Sequence, residues 1–436
     1  MRLFNTTALS IALAAVAAGA FAPSAASAQN RKEKEQQQEQ NAAPKISLSR
    51  GFQKGAVEAQ ELVQKQDFAG AKAKLDEIQA SASKPDDHYF FGSLLLQVGI
   101  NLKDEALQRR ALETMIESGM TPATELPKFH YFVGQFAFNA KQYDQARTHF
   151  QQAIDANYGG ALPEVLVANT YFNEAQEQIV NNQFTDAGKA KVEQGLPHLK
   201  RAIELQEASG EAVDASWYNK GLSMATFAKS PSAPEWTKIA LAKSGTPDNW
   251  RLVLRMLQDE YPNISRDENL DILRLMAATK SLQNDYSYNE YAETANRVGL
   301  PGEVKAIIDQ GRASGEIGAN FLSDLYQIAN TGMAQDKASL ASSEKSAAGA
   351  ATGRPAANTG NAFLGYGENA KAAQLYRLAL EKGGVDADEV NTRLGIALAR
   401  SGDKAGAIEA FSKVSGTGVR KRIADLWTVW VNNSAA

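Results

Sequence analysis

The chain has 436 residues, 44% hydrophobic and 22% charged, a composition that supports packed globular structure. A formal net charge of −4 gives no general attraction to polyanions, so nucleic acid is not an expected partner. Cysteine is absent, which excludes disulfides, thiolate metal sites, a cysteine nucleophile and a lipid-modified N-terminal Cys.

Residues 1–28 read as a signal peptide: Arg2 supplies the positive start, Leu9 to Phe21 an Ala-rich apolar stretch, and Ala26-Ser27-Ala28 a small-residue cleavage site before Gln29. The apolar stretch is shorter than the roughly 20 residues that a membrane span needs. The short positive region suits a Gram-negative leader, so the expected location is periplasmic, with secretion as the alternative. Residues 29–45, QNRKEKEQQQEQNAAPK, have almost nothing apolar to bury and read as a flexible polar tether.

From residue 46 the periodicity is helical, with apolar residues at three- and four-residue spacings and short polar turns, and no convincing alternating strand appears. One pattern recurs. Ala59, Leu62, Ala71, Leu75 and Ile78 are followed by His130, Val133, Gly134, Ala137, Ala146, Phe150 and Ala153, then by Tyr288, Tyr291, Ala292, Ala295 and Gly299. Gly360, Phe363, Gly367, Ala372 and Tyr376 recur 35 positions later as Gly395, Leu398, Gly402, Ala407 and Phe411. A period near 35 residues is that of a helical-pair array. The copies are uneven: the second helix after Asp86 is lengthened, Val165–Leu205 exceeds one period, and Trp250–Leu282 loses the Gly/Ala signature.

These residues, with WYNKG at 217–221, resemble the tetratricopeptide repeat (TPR), specifically an exported bacterial TPR-containing protein. The resemblance implies an all-α fold, a right-handed α-solenoid of stacked antiparallel helix pairs. About ten helix pairs are expected in all, as TPR-like repeats over 46–330 and a C-terminal TPR pair at 357–418. Between them, 331–356 is rich in Ala, Ser and Gly and reads as a partly helical, mobile connection. Residues 419–436 form an amphipathic capping helix and tail, with Ile423, Leu426, Trp427 and Trp430 on one face. The competing reading gives Arg420, Lys421, Arg422 and the two Trp residues to an anionic bilayer.

The search for chemistry finds no catalytic residue, cofactor or metal site. His88, His130, His149 and His198 stand singly, without metal-protease spacing. Ser81-x-x-Lys84 and Ser342-x-x-Lys345 match a penicillin-recognising pattern, but Lys243-Ser244-Gly245 reads as a helix end rather than the required strand. Acidic pairs such as Asp86-Asp87 suit helix N-termini.

In the TPR family, set positions of the first helix line a concave groove. Carried over, they give Tyr89, Ser93 and Leu96; Lys128, Tyr131, Gln135, Phe138 and Asn139; Tyr218 and Leu222; and Asn289, Glu293, Asn296 and Arg297. Tyr is common in the family at positions 89, 131 and 218, so scaffold and recognition both remain open there. The groove lacks the basic set with which chaperone-binding members grip a terminal carboxylate. The expected function is a non-catalytic protein–protein interaction scaffold of the bacterial cell envelope. The alternative is an accessory subunit for cell-wall or polysaccharide handling, with a glycan-binding groove.

Overall fold

The computed structural model describes residues 46–434. The expected leader and tether, residues 1–45, lie outside the described residues. Helix boundaries follow short-range polar chemistry. Asp67 and Asp104 cap α2 (Phe68–Ile78) and α4 (Glu105–Glu117) by accepting from Gly70 N–H and Leu107 N–H. Proline opens α3 (Pro85–Leu102) and stands in the first turn of α5 (Leu126–Asn139) and α7 (Leu162–Gln176), where a missing N–H costs nothing.

One turn recurs at the helix C-termini. After α1 (Arg50–Gln64), Gln66 takes a left-handed conformation and Asp67 N–H bonds back to Leu62 C=O. Lys103 with Asp104→Gly99 and Lys141 with Gln142→Ala137 repeat it after α3 and α5. This is the six-to-one closure that satisfies orphan carbonyls at a helix end.

Two compact units divide between Val213 and Asp214, inside the stretch expected as one array. The first holds α1 to α5, α6 (Tyr143–Asp155), α7 and α8 (Asp186–Ala208). Each helix packs on its successor, the neighbour-only pattern of a repeat array. A two-residue hairpin pairs Ile179–Val180 with Gln183–Phe184 between α7 and α8, too short to alter the all-α architecture. Asn181 and Asn182, both at positive φ, form its turn.

The second unit holds α9 (Ala215–Phe227), α10 (Ala233–Lys243), α11 (Pro247–Glu260), α12 (Arg266–Ala278), α13 (Asn284–Arg297), α14 (Pro301–Ser314) and α15 (Ser323–Gly349). It continues with α16 (Arg354–Gly365), α17 (Asn369–Lys382), α18 (Ala387–Arg400), α19 (Lys404–Ser412) and α20 (Val419–Asn433). Most of the Ala/Ser-rich stretch expected as a connection belongs to the single 27-residue helix α15. Leu340 and Ala347 are buried, Tyr366 donates to Asp336 at 2.6 Å, and Lys382 Nζ bonds the carbonyls of Ala348 and Ala350. Small side chains signal a linker by composition, yet Ala has the highest helix propensity, and a neighbouring surface decides between the two.

The pairs close through small-to-aromatic contacts. A Cβ added at Gly134 would meet the Phe150 ring at 2.7 Å, at Gly395 the Phe411 ring at 2.4 Å, and at Gly360 the Tyr376 ring at 2.9 Å. Glycine on the first helix thus makes room for the ring sixteen residues later. Gly221 of the WYNKG segment receives Trp236 in the same way, at 2.1 Å.

Helix α20 does more than cover the last pair. Trp427 is fully buried and stacks on Phe411 at 6.2 Å, and α20 also packs against α10 and α12, near the start of the unit. The second unit is therefore a closed circuit of helices. The basic residues considered for a bilayer are engaged: Arg420 bonds buried Asp271 at 2.7 Å, Lys421 pairs with Asp425, and Arg422 lies 3.6 Å from Glu260.

Candidate functional site

Helical periodicity sends the aromatics of α5 in two directions. Phe129 and Val133 enter the core, while Tyr131, Phe132, Gln135, Phe136 and Phe138 remain partly exposed. Tyr131 is the hub. Its ring lies 5.6 Å from Phe132, 5.7 Å from Tyr158 and 6.2 Å from Phe150, and its hydroxyl accepts from Gln135 Nε2 at 3.0 Å.

Burial pushes the phenols of Tyr89, Tyr131 and Tyr158 above their ordinary value, and the Glu125 carboxylate adds to the rise at Tyr89 and Tyr158. All three hydroxyls stay protonated at neutral pH and retain a donor. Lys128 answers Glu125 from 3.4 Å. The structure thus groups Tyr89, Lys128, Tyr131 and Gln135 with Glu125 and Tyr158, two residues that the groove positions did not single out. Tyr158 follows the end of α6, where a single-helix register carries no signal for it. Phe138 packs edge-on against Tyr143 at 5.8 Å, and exposed Asn139 donates to Glu105 at 3.1 Å.

The histidines do not all stand singly. His130 on α5 and His149 on α6 bring their Nδ1 atoms to 2.9 Å, with ring centroids 5.1 Å apart. Burial holds both imidazoles below their ordinary value. His198 Nδ1 lies 2.6 Å from Glu164 and its ring stacks on Tyr171 at 5.9 Å. No group of three or more His, Asp or Glu side chains converges as a metal cage among the described residues.

In the second unit the carried-over positions separate. Tyr218, expected on the groove, is only 5% exposed and Leu222 is fully buried, because α9 turns that face toward its own core. Ser93 and Leu96 of the first unit are likewise buried. Glu293 and Asn296 line an open cleft of about 460 Å³ with Asp324 and Ile328, the latter 62% exposed. Asn289 is exposed, and Arg297 reaches to 3.6 Å from Glu293.

A second cleft of about 270 Å³ lies beside Tyr286, which is 69% exposed and has the Arg255 guanidinium 5.2 Å from its ring centroid. Arg255, Gln258 and Asn269 all bond Glu290 there, at 2.7 to 3.1 Å.

Charge is concentrated deep in the second unit. Asp271 receives Arg274 at 2.8 Å and Arg420 at 2.7 Å, with Arg393 Nε at 3.5 Å. Arg274 also grips Glu303 with two nitrogens, at 2.8 and 2.6 Å, and Tyr291 donates to the same carboxylate at 2.7 Å. Burial alone would raise both carboxyls, but the surrounding guanidiniums outweigh it and hold them below their ordinary values. The network joins α12, α14, α18 and α20, so its geometry is that of a clasp.

The chain matches no family model and no curated protein. Among solved structures it is similar to the TPR domain of P58(IPK), at 11% identity over 87% of this chain and 97% of that one, TM-score 0.22. It is also similar to yeast Tom70, at 11% identity over 87% and 88%, TM-score 0.22. A third is Naa15/Naa10 bound to HypK-THB, at 13% identity over 92% and 68%, TM-score 0.22. With its successive helix pairs and the glycine-to-ring contacts at 134/150, 360/376 and 395/411, the chain has an all-α, TPR-like helical-repeat fold.

Proposed function

We propose that the protein is a non-catalytic interaction scaffold of the bacterial cell envelope, and that the Tyr131-centred face of the first unit binds a protein segment. The observation that carries this reading is the partly exposed aromatic stripe of α5, with the protonated Tyr131 hydroxyl and little net charge. Rigid amphipathic rings offer large contact area at small entropic cost. The leader-like residues 1–28 support the compartment, with periplasm preferred over secretion. The test is capture of partners from envelope extracts by wild type and by Tyr131→Ala/Phe138→Ala. The double variant is expected to keep its helicity and lose capture; wild-type recovery of every partner refutes the assignment.

A second reading, handling of cell-wall or other polysaccharide, is favoured by exposed Tyr286 above the Arg255–Glu290 network. An open aromatic face beside convergent polar groups suits a sugar ring. Binding of envelope oligosaccharides that Tyr286→Ala abolishes and Tyr131→Ala leaves intact selects it over the protein ligand.

A further inference from the structure

Two imidazole nitrogens bound to one metal ion lie about 2.0–2.1 Å from it, so a right-angle arrangement places them about 2.9 Å apart, whereas a tetrahedral one needs about 3.3 Å. The Nδ1 atoms of His130 and His149 are 2.9 Å apart. We propose that His130 and His149 form a two-imidazole site for a divalent transition-metal cation, Cu(II) by preference, which clamps α5 to α6.

Right-angle ligation is the tetragonal geometry of Cu(II), and nitrogen donors bind Cu(II) most tightly among the first-row divalent ions. Both rings are partly exposed, so a cation can enter and water can fill the remaining positions. The charged groups facing His149 from α4 are Glu113, which favours a cation, and Arg109, which opposes one. Glu113 holds the Arg109 guanidinium at 2.8 Å, which offsets that repulsion. Without metal the same spacing accommodates one N–H···N hydrogen bond between opposite tautomers. Metal and proton therefore compete for one lone pair.

The experiment titrates untagged protein with Cu(II) against a competing chelator and records the electron paramagnetic resonance spectrum. One ion should bind per chain with hyperfine coupling to two nitrogens. His130→Gln and His149→Gln should each weaken binding by about tenfold or more, while His88→Gln and His198→Gln leave it unchanged. If either His130→Gln or His149→Gln fails to fold, isotopic ¹⁵N substitution in the histidines of the wild type decides through the nitrogen count alone. Equal affinity in all four variants, or a wild-type spectrum with fewer than two histidine nitrogens, overturns the site and leaves a hydrogen-bonded pair only.

Discussion

Replacing Asp271 with Asn keeps the shape of the clasp and removes one buried charge. Arg274 would retain Glu303, and Arg393 would retain Asp267 and Glu389, but Arg420 would lose the carboxylate that it bonds. Stranding one member of a buried ion network costs about 3–5 kcal/mol. A unit of this size loses about 2–4 °C in Tm per kcal/mol, so Asp271→Asn should melt roughly 6–20 °C lower. The assay is selective because all five tryptophans, Trp217, Trp236, Trp250, Trp427 and Trp430, lie in the second unit. Intrinsic tryptophan fluorescence therefore follows that unit alone. Asp267→Asn is the control: its carboxylate is 47% exposed, and Arg393 keeps Glu389 and Asp271, so its loss should lower the melting temperature less than Asp271→Asn. Equal melting of Asp271→Asn and Asp267→Asn would refute the clasp.

Gly134→Leu should destabilise the first unit by about 1–3 kcal/mol because its Cβ meets Phe150, while Gln135→Leu should be nearly neutral; circular dichroism melts compare them. Deleting residues 419–436 should lower the melting temperature and promote aggregation, with no change in binding to anionic vesicles, since it removes Trp427 and Arg420 from the clasp; normal melting with lost vesicle binding would favour the membrane reading. Asp87 is fully buried and accepts from Ser49 and Ser83 through both N–H and hydroxyl groups. Burial works to raise its pKa, but those bonds outweigh it and hold the group below 3.8, so its stabilisation is present above that pH and is lost as pH falls through the depressed value. Asp87→Asn should flatten the acid limb of stability, measured by far-ultraviolet circular dichroism; an unchanged acid limb would show that Asp87 does not set it.

The helical pairing was legible because Gly134, Gly360 and Gly395 must each admit a ring sixteen positions on, a local constraint that leaves a periodic trace. The turns were half legible. Gly299, Gly367 and Gly402 mark left-handed positions, but Gln66, Lys103 and Lys141 adopt the same conformation with side chains that give no such sign. The closed circuit left no trace: Arg393 and Asp267 are 126 positions apart, and no period links them. Tyr218 shows the limit of transferring positions, since its residue type suits both a groove and a core. The His130–His149 meeting required knowing which faces of α5 and α6 touch, and single-helix periodicity does not supply that register.

Closure also changes when the second unit can fold. In an open stack each pair needs only its neighbour, so folding can begin anywhere and spread during synthesis. Here Asp271 waits for Arg420, 149 residues later, and its carbonyl for Trp427, 156 residues later. Contacts across such sequence distances slow folding, because chain-closure entropy is lost before any contact compensates it. A growing chain that has emerged only through α18 therefore holds Asp271, Arg274 and Glu303 without the helix that seals them. Helix α20 acts as a completion signal: the unit becomes cooperative only when that helix has been made.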